Sequence, residues 1–197
     1  MTASPSPAGE VAKARLFVAL DLPDAVVAAL AAWQSPLVRA LDTVRPVTAD
    51  ALHVTLTFLG WQSPEAIVPL AEAVGVCAAG CGGVAGLALG ERLWLPRRRP
   101  RALAVALEDR HGALAALQGR LVERLAADGR YEPEARSYLP HVTVARARGR
   151  NGIRVPRDVA LPALDPLVFD GTAVTLYRSR LQSSGARYEP LFVHRLA

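Results

Sequence analysis

The sequence predicts an α+β fold built from two similar lobes. The 197 residues are 51% hydrophobic and 21% charged, which is the composition of a globular chain long enough to bury a core without disulfides. The tripeptide His53-Val54-Thr55 recurs 88 residues later as His141-Val142-Thr143. Each half of the chain has the pattern strand, helix, strand, with the tripeptide in its second strand. This repeat predicts two lobes related by an approximate two-fold axis, with strands and helices mixed in each.

The first half begins with a buried strand, followed by a helix and a second strand. Residues 15–20 (RLFVAL) form a short apolar run typical of a strand. Residues 22–24 (LPD) suit a helix start, because proline needs no amide partner in the first turn and aspartate favours the positive end of the helix dipole. We expect Pro36 to end or kink this helix one residue earlier. Residues 51–60 (ALHVTLTFLG) are rich in β-branched side chains and predict the second strand.

The remaining elements follow from the same two periodicities. Ser63 and Pro64 suit the N-cap and first position of a second helix, which should extend to about residue 79. Residues 80–90 are too rich in glycine to assign, and residues 148–166 are predicted to be a loop. We expect strands at 87–95, 102–107, 140–146, 172–181 and 188–196, a basic turn at 96–100 and a third helix at 114–125, which stops near residue 129.

The ends and the cysteines of the chain indicate where the protein works. Residues 1–14 lack the apolar segment of a signal peptide and predict a disordered tail ahead of one two-lobed domain at 15–197. No apolar run approaches the roughly 20 residues of a membrane span. Cys77 and Cys81 are best explained as packing thiols in a reducing compartment. We therefore expect a cytoplasmic protein, whose net charge of +5 favours an anionic partner such as nucleic acid.

The repeated tripeptide carries the chemistry that the sequence predicts. Side chains two residues apart in a strand point to the same face, so His53 shares a face with Thr55, and His141 with Thr143. A neutral imidazole accepts a proton near pH 7, and an imidazolium donates one. Two imidazoles flanking one phosphorus atom form an acid/base pair for in-line displacement, while two hydroxyls donate hydrogen bonds to phosphate oxygens.

A purely structural role or a metal-binding role fits these histidines less well. One His-x-Thr alone would more often be structural, but two copies at equivalent positions of a repeat favour a functional site. A two-histidine metal site would need a third Cys, Asp or Glu ligand, and none stands at suggestive spacing. No glycine-rich phosphate loop or carboxylate cluster supports a metal-dependent mechanism either, so we predict no metal and no cofactor. His111 and His194 lack a threonine two residues later and are predicted to be structural or exposed.

Five segments also carry a family resemblance that extends from Arg15 over nearly the whole chain. They are RLFVALDLP, LHVTLTFLG, LWLPRRRPRALAVAL, PHVTVAR and YRSRLQSSGARYEPLF. With these segments the chain resembles the two-histidine (2H) phosphoesterase superfamily. Within it, the similarity is to the bacterial and archaeal RNA 2′,3′-cyclic phosphodiesterases once named 2′-5′ RNA ligases.

The resemblance implies a fold, a reaction and a partner. The lobes would be antiparallel sheets with helices on their outer faces, around a basic cleft lined by both motifs. The reaction would open a 2′,3′-cyclic phosphate at an RNA end, such as that of a tRNA fragment, and leave a 2′-phosphate. His53 would be the proton donor and His141 the proton acceptor, with Thr55 and Thr143 on the phosphate. With a 5′-hydroxyl RNA end in place of water, similar proteins join two ends by a 2′-5′ bond.

The sequence leaves three questions open. The pseudo-symmetry of the repeat does not by itself decide which histidine is the acid. The same chemistry would suit a small cyclic nucleotide or a 2′-5′ oligoadenylate as substrate. A non-catalytic RNA-binding module is the alternative of another class, although intact His and Thr in both motifs argue against it. No membrane or protein partner is implied, and we expect a monomer.

Six further residues are candidates for contact with RNA. The basic run of the predicted turn, Arg97, Arg98, Arg99 and Arg101, can contact phosphates or can be a solvated turn. Tyr138 precedes the second motif and can stack on a terminal base or pack against its lobe. Arg146 is a candidate because relatives carry a basic residue there. Strict alternation would nevertheless point Arg146 away from the histidines unless the strand bends.

Overall fold

A single twisted antiparallel sheet forms the framework of the protein. The computed structural model describes residues 12–129, 131–149, 152–153, 163–182 and 185–197. The described residues form nine strands: β1 (Ala14–Asp21), β2 (Val44–Pro46), β3 (Val54–Gln62), β4 (Leu87–Leu95), β5 (Ala102–Asp109), β6 (His141–Ala147), β7 (Val168–Phe169), β8 (Ala173–Gln182) and β9 (Gly185–Arg195). Their order is β7-β4-β5-β6-β3-β1-β8-β9, with β2 paired to β6 beside that path.

The sheet consists of two halves of four strands that meet at its centre. β7, β4, β5 and β6 form one half, and β3, β1, β8 and β9 form the other. The halves join where β3 pairs with β6, through the single residue pair Val54 and Val142. All strand pairs in the described residues are antiparallel. The predicted α+β class with two similar antiparallel lobes is confirmed.

Three α-helices cover one face of this sheet. They are α1 (Asp24–Ala40), α2 (Ile67–Ala79) and α3 (Ala113–Ala127). α1 packs near β2 and β6, α2 against β8 and β9, and α3 against β3 and β5. Their leucines and valines join alternate strand residues in one hydrophobic cluster, and this burial is the main stabilising term of the fold. None of the described helices is long and apolar enough to cross a membrane.

Of the two effects predicted for Pro36, an end or a kink of the first helix, the structure contradicts the end. α1 does not stop before Pro36 but continues through it to Ala40. Leu37 is only 2% exposed, and the amide of Leu41 donates to its carbonyl at 3.0 Å, so the last turn is anchored in the core. Pro36 and Ala32, whose carbonyl loses its helical donor to the proline, are both exposed. Water can satisfy that carbonyl, and packing of the last turn outweighs the cost of the proline.

The other elements lie close to their predicted positions. The strand expected at 51–60 begins only at Val54, because Ala49–Ala51 form a 3₁₀ turn. The short strands β2 and β7 were not predicted, since two or three residues carry too little periodicity. The predicted tail falls on residues 1–14, of which 1–11 lie outside the described residues. The predicted loop at 148–166 falls largely outside them as well.

Candidate active site

The two His-x-Thr motifs meet at the centre of the sheet. β3 and β6 run antiparallel with Val54 opposite Val142, which sets His53 across from Thr143 and Thr55 across from His141. Both valines are fully buried on the helix-covered face. Because neighbouring side chains alternate, the two histidines and two threonines all lie on the opposite face, here called the motif face. The sheet therefore brings together all four residues that the sequence predicted as the site.

Each histidine is oriented by the same backbone contact. The Nδ1 atom of His53 donates to the Ala51 carbonyl at 2.8 Å, and Nδ1 of His141 donates to the Leu139 carbonyl at 2.7 Å. A carbonyl only accepts, so these bonds hold the proton on Nδ1 and leave Nε2 of each neutral ring as the reactive atom. The Thr55 hydroxyl donates to Nε2 of His53 at 3.1 Å.

Aromatic rings enclose His53. The ring centroid of Phe17 lies 5.0 Å from that of His53, and the Tyr188 ring stands nearly perpendicular to the imidazole with the two centroids 5.1 Å apart. Tyr177 stacks on Phe17 at 5.3 Å. Burial among these rings lowers the pKa of His53 to about 4, against the opposing effect of its bond to Ala51; the positive charge of Arg146 lowers it further. His53 is therefore neutral at pH 7 in the free protein.

A β-bulge brings Arg146 onto the motif face. The ladder between β5 and β6 shifts by one residue at Val144, which is therefore an extra residue in β6. Val144 and Ala145 are both buried, whereas Arg146 is exposed. The effect of its charge on the pKa of His53 agrees with a guanidinium on the same face. Strict alternation would have pointed Arg146 to the other face, so the bend is what keeps it a site candidate.

An equivalent bulge in β3 brings Phe58 onto the same face. Here the extra residue is Leu56, since Thr55 pairs with Ala19 and Thr57 with Val18. Phe58 is consequently 50% exposed, and its ring lies 6.3 Å from that of Phe17. Phe58 stands five residues after His53, just as Arg146 stands five residues after His141. Comparing the residues that follow the two repeats would have revealed Phe58 from the sequence.

The two halves differ in the side chains around their histidines. Phe17 pairs with Phe58 and Tyr177, while at the equivalent place in the other half Ala102 pairs with Arg146 and Leu95. We call the half with Phe17, Phe58, Tyr177 and Tyr188 the aromatic half, and the half with Arg146 the arginine half. None of these four aromatic residues was predicted from the sequence to be part of the site.

A half-buried carboxyl supports the aromatic half. Asp21, at the end of β1, accepts hydrogen bonds from the Thr175 hydroxyl at 2.6 Å and the Tyr177 hydroxyl at 2.9 Å. Burial raises the pKa of Asp21, although both bonds act in the opposite direction. These bonds fix Tyr177, which in turn stacks on Phe17 beside His53.

The remaining candidates lie around this centre. The Tyr138 hydroxyl donates to the Thr55 carbonyl at 3.3 Å, and its partly buried ring packs against the core; its stacking on a base stays a prediction. The exposed turn with Arg97, Arg98, Arg99 and Arg101 adjoins the end of β6, since the Ala147 amide donates to the Arg101 carbonyl.

The other two histidines lie away from the motif face. His111 stands two residues before α3, and His194 is in β9. Among the described residues, no three His, Cys, Asp or Glu side chains are grouped to hold a metal ion.

The fold and this pair of strands define a class of protein. A two-half antiparallel sheet with a His-x-Thr motif in each central strand is the architecture of the 2H phosphoesterases. The family model described as the 2′-5′ RNA ligase superfamily matches residues 22–182, and the chain belongs to that superfamily.

Solved structures agree with this assignment. Apo Escherichia coli LigT is 27% identical with a TM-score of 0.69, over 94% of this chain and 98% of that one. LigT in complex with 3′-AMP is 28% identical with a TM-score of 0.71, over 93% and 98%. A protein of Thermus thermophilus is 28% identical with a TM-score of 0.67, over 92% and 97%. No curated protein sequence is significantly similar to the chain.

Proposed function

We propose that the protein hydrolyses 2′,3′-cyclic phosphate ends of RNA to 2′-phosphomonoesters. The observation that carries this proposal is the set of four side chains around the Val54–Val142 pair, with two imidazoles and two hydroxyls on one face. Such a set supplies an acid, a base and two hydrogen-bond donors for one phosphorus atom. The relative solved with 3′-AMP binds a nucleotide with a phosphate on its ribose, as the proposed substrate would have.

The difference between the halves supports one assignment of acid and base. A nucleoside has its best contact surface in the aromatic half, where Phe58 is exposed, so the ribose and its 3′ oxygen would lie beside His53. Water would then approach from the arginine half, beside His141. In-line displacement needs the attacking and leaving oxygens on opposite sides of phosphorus. We therefore assign His53 as proton donor and His141 as proton acceptor.

The reaction then follows in one balanced displacement. His141 takes a proton from water as the water oxygen bonds to phosphorus. The bond between phosphorus and the 3′ oxygen breaks, and His53 gives its proton to that oxygen. The products are a 3′-hydroxyl and a 2′-phosphomonoester. A 5′-hydroxyl RNA end in place of water would yield a 2′-5′ bond by the same steps.

His53 must gain its proton before or during substrate binding, because burial keeps it neutral in the free protein. The cyclic phosphate carries a negative charge, and an opposite charge at hydrogen-bond distance favours the imidazolium. Substrate binding would therefore charge the acid. Thr55 and Thr143 would hold the non-bridging oxygens, and the Arg146 guanidinium would neutralise the charge that develops on them.

The test is turnover of a short RNA with a 2′,3′-cyclic phosphate end. We expect hydrolysis to a 2′-phosphomonoester that persists in excess chelator, because the four motif residues supply the proton transfers and hydrogen bonds. Activity that disappears with chelator and returns with zinc or magnesium would replace the proposal with a metal mechanism. Binding of the RNA without turnover would indicate a non-catalytic module. Turnover confined to small cyclic nucleotides or 2′-5′ oligoadenylates would keep the chemistry and change the substrate.

A further inference from the structure

A second arginine lies beside Arg146 on the neighbouring strand. β2 pairs with the end of β6, and Arg45 lies directly opposite Arg146 in that ladder. Directly opposed residues of an antiparallel pair project to the same face, with their β-carbons about 5 Å apart. Arg45 therefore lies on the motif face. Its neighbour Val44 is fully buried on the helix-covered face, as this alternation requires, while Arg45 itself is half-buried.

The far end of the sheet confirms where the Arg45 guanidinium lies. Gly185 opens β9, the strand that carries Tyr188 onto His53. A side chain at position 185 would collide with the Arg45 guanidinium, so the two are in close contact. β9 also packs against the 3₁₀ turn Ala49–Ala51, which provides the carbonyl partner of His53. The guanidinium thus lies beside the start of β9, on the His53 side of the motif face.

Two arginines directly opposite each other in a ladder concentrate positive charge there, which favours an anion between or beside them. Like charges directly opposite in a ladder repel, and a bound phosphate relieves that repulsion. Arg148, two residues beyond Arg146, also reaches this strand edge, where its Nε donates to the Val44 carbonyl at 2.7 Å. Arg45 on β2 and Arg146 on β6, with Arg148 just beyond the end of β6, therefore make this edge of the sheet basic.

The geometry of a nucleotide indicates which phosphate this edge would receive. The base leaves the ribose at C1′, and the chain toward the preceding nucleotide leaves it at C4′, which flanks the other side of the ring oxygen and is bonded to C3′. Phe58 and the arginine pair lie at opposite ends of the motif face, because β3 and β6 run antiparallel from the central histidines. With the base at Phe58, the 5′ branch points toward Arg45, on the same side as the 3′ oxygen and His53.

We propose that Arg45 binds the phosphodiester on the 5′ side of the terminal nucleotide, and so selects RNA ends over free cyclic mononucleotides. The inference rests on the proposed function, because it takes the cyclic phosphate to lie between the two histidines. Arg146 contacts the reacting phosphate, and Arg45 contacts the next phosphate toward the 5′ end of the RNA. The substrate class is then a strand of at least two nucleotides ending in a 2′,3′-cyclic phosphate.

The decisive experiment compares two substrates that differ by one phosphodiester. These are a 2′,3′-cyclic mononucleotide and a dinucleotide with the same cyclic end. For Arg45→Ala, we expect the ratio of kcat/KM for dinucleotide over mononucleotide to fall by roughly 10-fold, the size of one charge-assisted contact. Arg45→Lys should recover part of that ratio. For the dinucleotide, the slope of log kcat/KM against log salt concentration should become shallower by about 0.7.

The matched control is Arg39→Ala, which removes one exposed arginine from the outer surface of α1 and should leave the ratio unchanged. An equal loss of kcat/KM on both substrates would leave the ratio unchanged and make Arg45 a structural or general catalytic support. No loss on either substrate would show that Arg45 does not contact the 5′ phosphodiester. Either result overturns the inference. If the wild-type protein turns over neither substrate, the proposed function fails. In that case, calorimetry measures the affinities for the 2′-phosphate dinucleotide and mononucleotide. The ratio of the two affinities in the parent and Arg45→Ala proteins then tests the Arg45 contact separately.

Discussion

At the scale of single residues, the two histidines share their sequence context but not their surroundings. Each donates Nδ1–H to the carbonyl two residues before it, so both present Nε2. Only His53 is enclosed by Phe17 and Tyr188. Identical backbone geometry with different solvation therefore gives two otherwise equal imidazoles different chemical surroundings.

Replacing either motif histidine with alanine should reduce turnover by roughly 10²–10⁴-fold, the usual cost of losing a positioned acid or base. The measurement is kcat/KM on a cyclic-phosphate RNA. His111→Ala and His194→Ala are the matched controls and should retain activity, since both lie away from the motif face. A crippled His111→Ala protein with an active His53→Ala protein would contradict the site.

The pH profile should report the enclosure of His53. In the proposed mechanism only the form with one proton shared by the pair is active, so kcat/KM should be bell-shaped, and its acid limb marks the uptake of a second proton as the pH falls. Since the pKa of His53 is about 4, the acid limb of kcat/KM should lie near pH 4. The acid limb of kcat should lie higher, because the bound phosphate favours the imidazolium.

Removing the ring that covers His53 should move this limb in a known direction. Tyr188→Leu lets water reach the imidazole, so the pKa of His53 should rise toward 6.5 and the acid limb of kcat/KM should move up with it. Trp61→Leu removes an exposed aromatic ring at the other end of β3 and serves as control. A limb that stays in place in the Tyr188→Leu protein would show that the aromatic ring does not tune His53.

At the scale of elements, helix α1 shows packing prevailing over local propensity. The helix passes through Pro36 because Leu37 behind it is buried. Pro36→Ala should restore one helical hydrogen bond to the Ala32 carbonyl. The gain in the free energy of unfolding should be roughly 2 kcal/mol, after the larger entropy of the unfolded alanine chain is set against it.

Urea unfolding measures this change. Gly119→Ala is a matched reference, because it also improves a helix interior, in α3, and its β-carbon meets no atom within 4 Å. It should add roughly 1 kcal/mol, the propensity difference alone. A Pro36→Ala protein that is less stable than the parent would mean that the proline ring makes packing contacts that outweigh its helical cost.

The bulges show where the alternation of side chains along a strand stops predicting which face a residue lies on. Alternation correctly predicted that His53 and Thr55, and likewise His141 and Thr143, share a face. It failed for Arg146, because one extra residue in a strand reverses every face beyond it, and nothing in a period of two signals where that occurs. The buried pairs that interrupt alternation, Leu56-Thr57 and Val144-Ala145, are visible only once the strands are aligned.

Contacts between residues far apart in the sequence were the other feature of the site that could not be predicted. The strand and helix order followed from apolar periodicity, since most elements are long enough to show it. Phe17, Tyr177 and Tyr188 lie near opposite ends of the chain and meet only because β8 pairs with β1. Arg45 stands in a three-residue strand whose register with β6 no local pattern specifies. Such contacts depend on the order of strands in the sheet.

At the scale of the whole molecule, the side chains around the two histidines break an approximate two-fold symmetry that the central strands follow. The axis passes by the Val54–Val142 pair, and the bulges of β3 and β6 obey it. Phe17 and Phe58 on one side correspond to Ala102 and Arg146 on the other. A symmetric sheet could accept the cyclic phosphate in two orientations. Under the proposed function, the aromatic and arginine halves would favour one of them, with the nucleoside toward β1 and the charge toward β6.

The identity of the product tests this orientation directly. With the ribose in the aromatic half, His53 protonates the 3′ oxygen, so the product should be a 2′-phosphomonoester. Phosphorus and proton NMR of the product distinguish the 2′ from the 3′ isomer. Phe58→Ala should slow turnover without changing the isomer, because the Arg146 side of the asymmetry persists. A 3′-phosphate from the wild-type protein would place the cyclic end the other way round, keep the two-histidine chemistry and remove the assigned substrate orientation. Since Arg45 was matched to the 5′ branch in that orientation, the same result would also move the preceding phosphate away from β2.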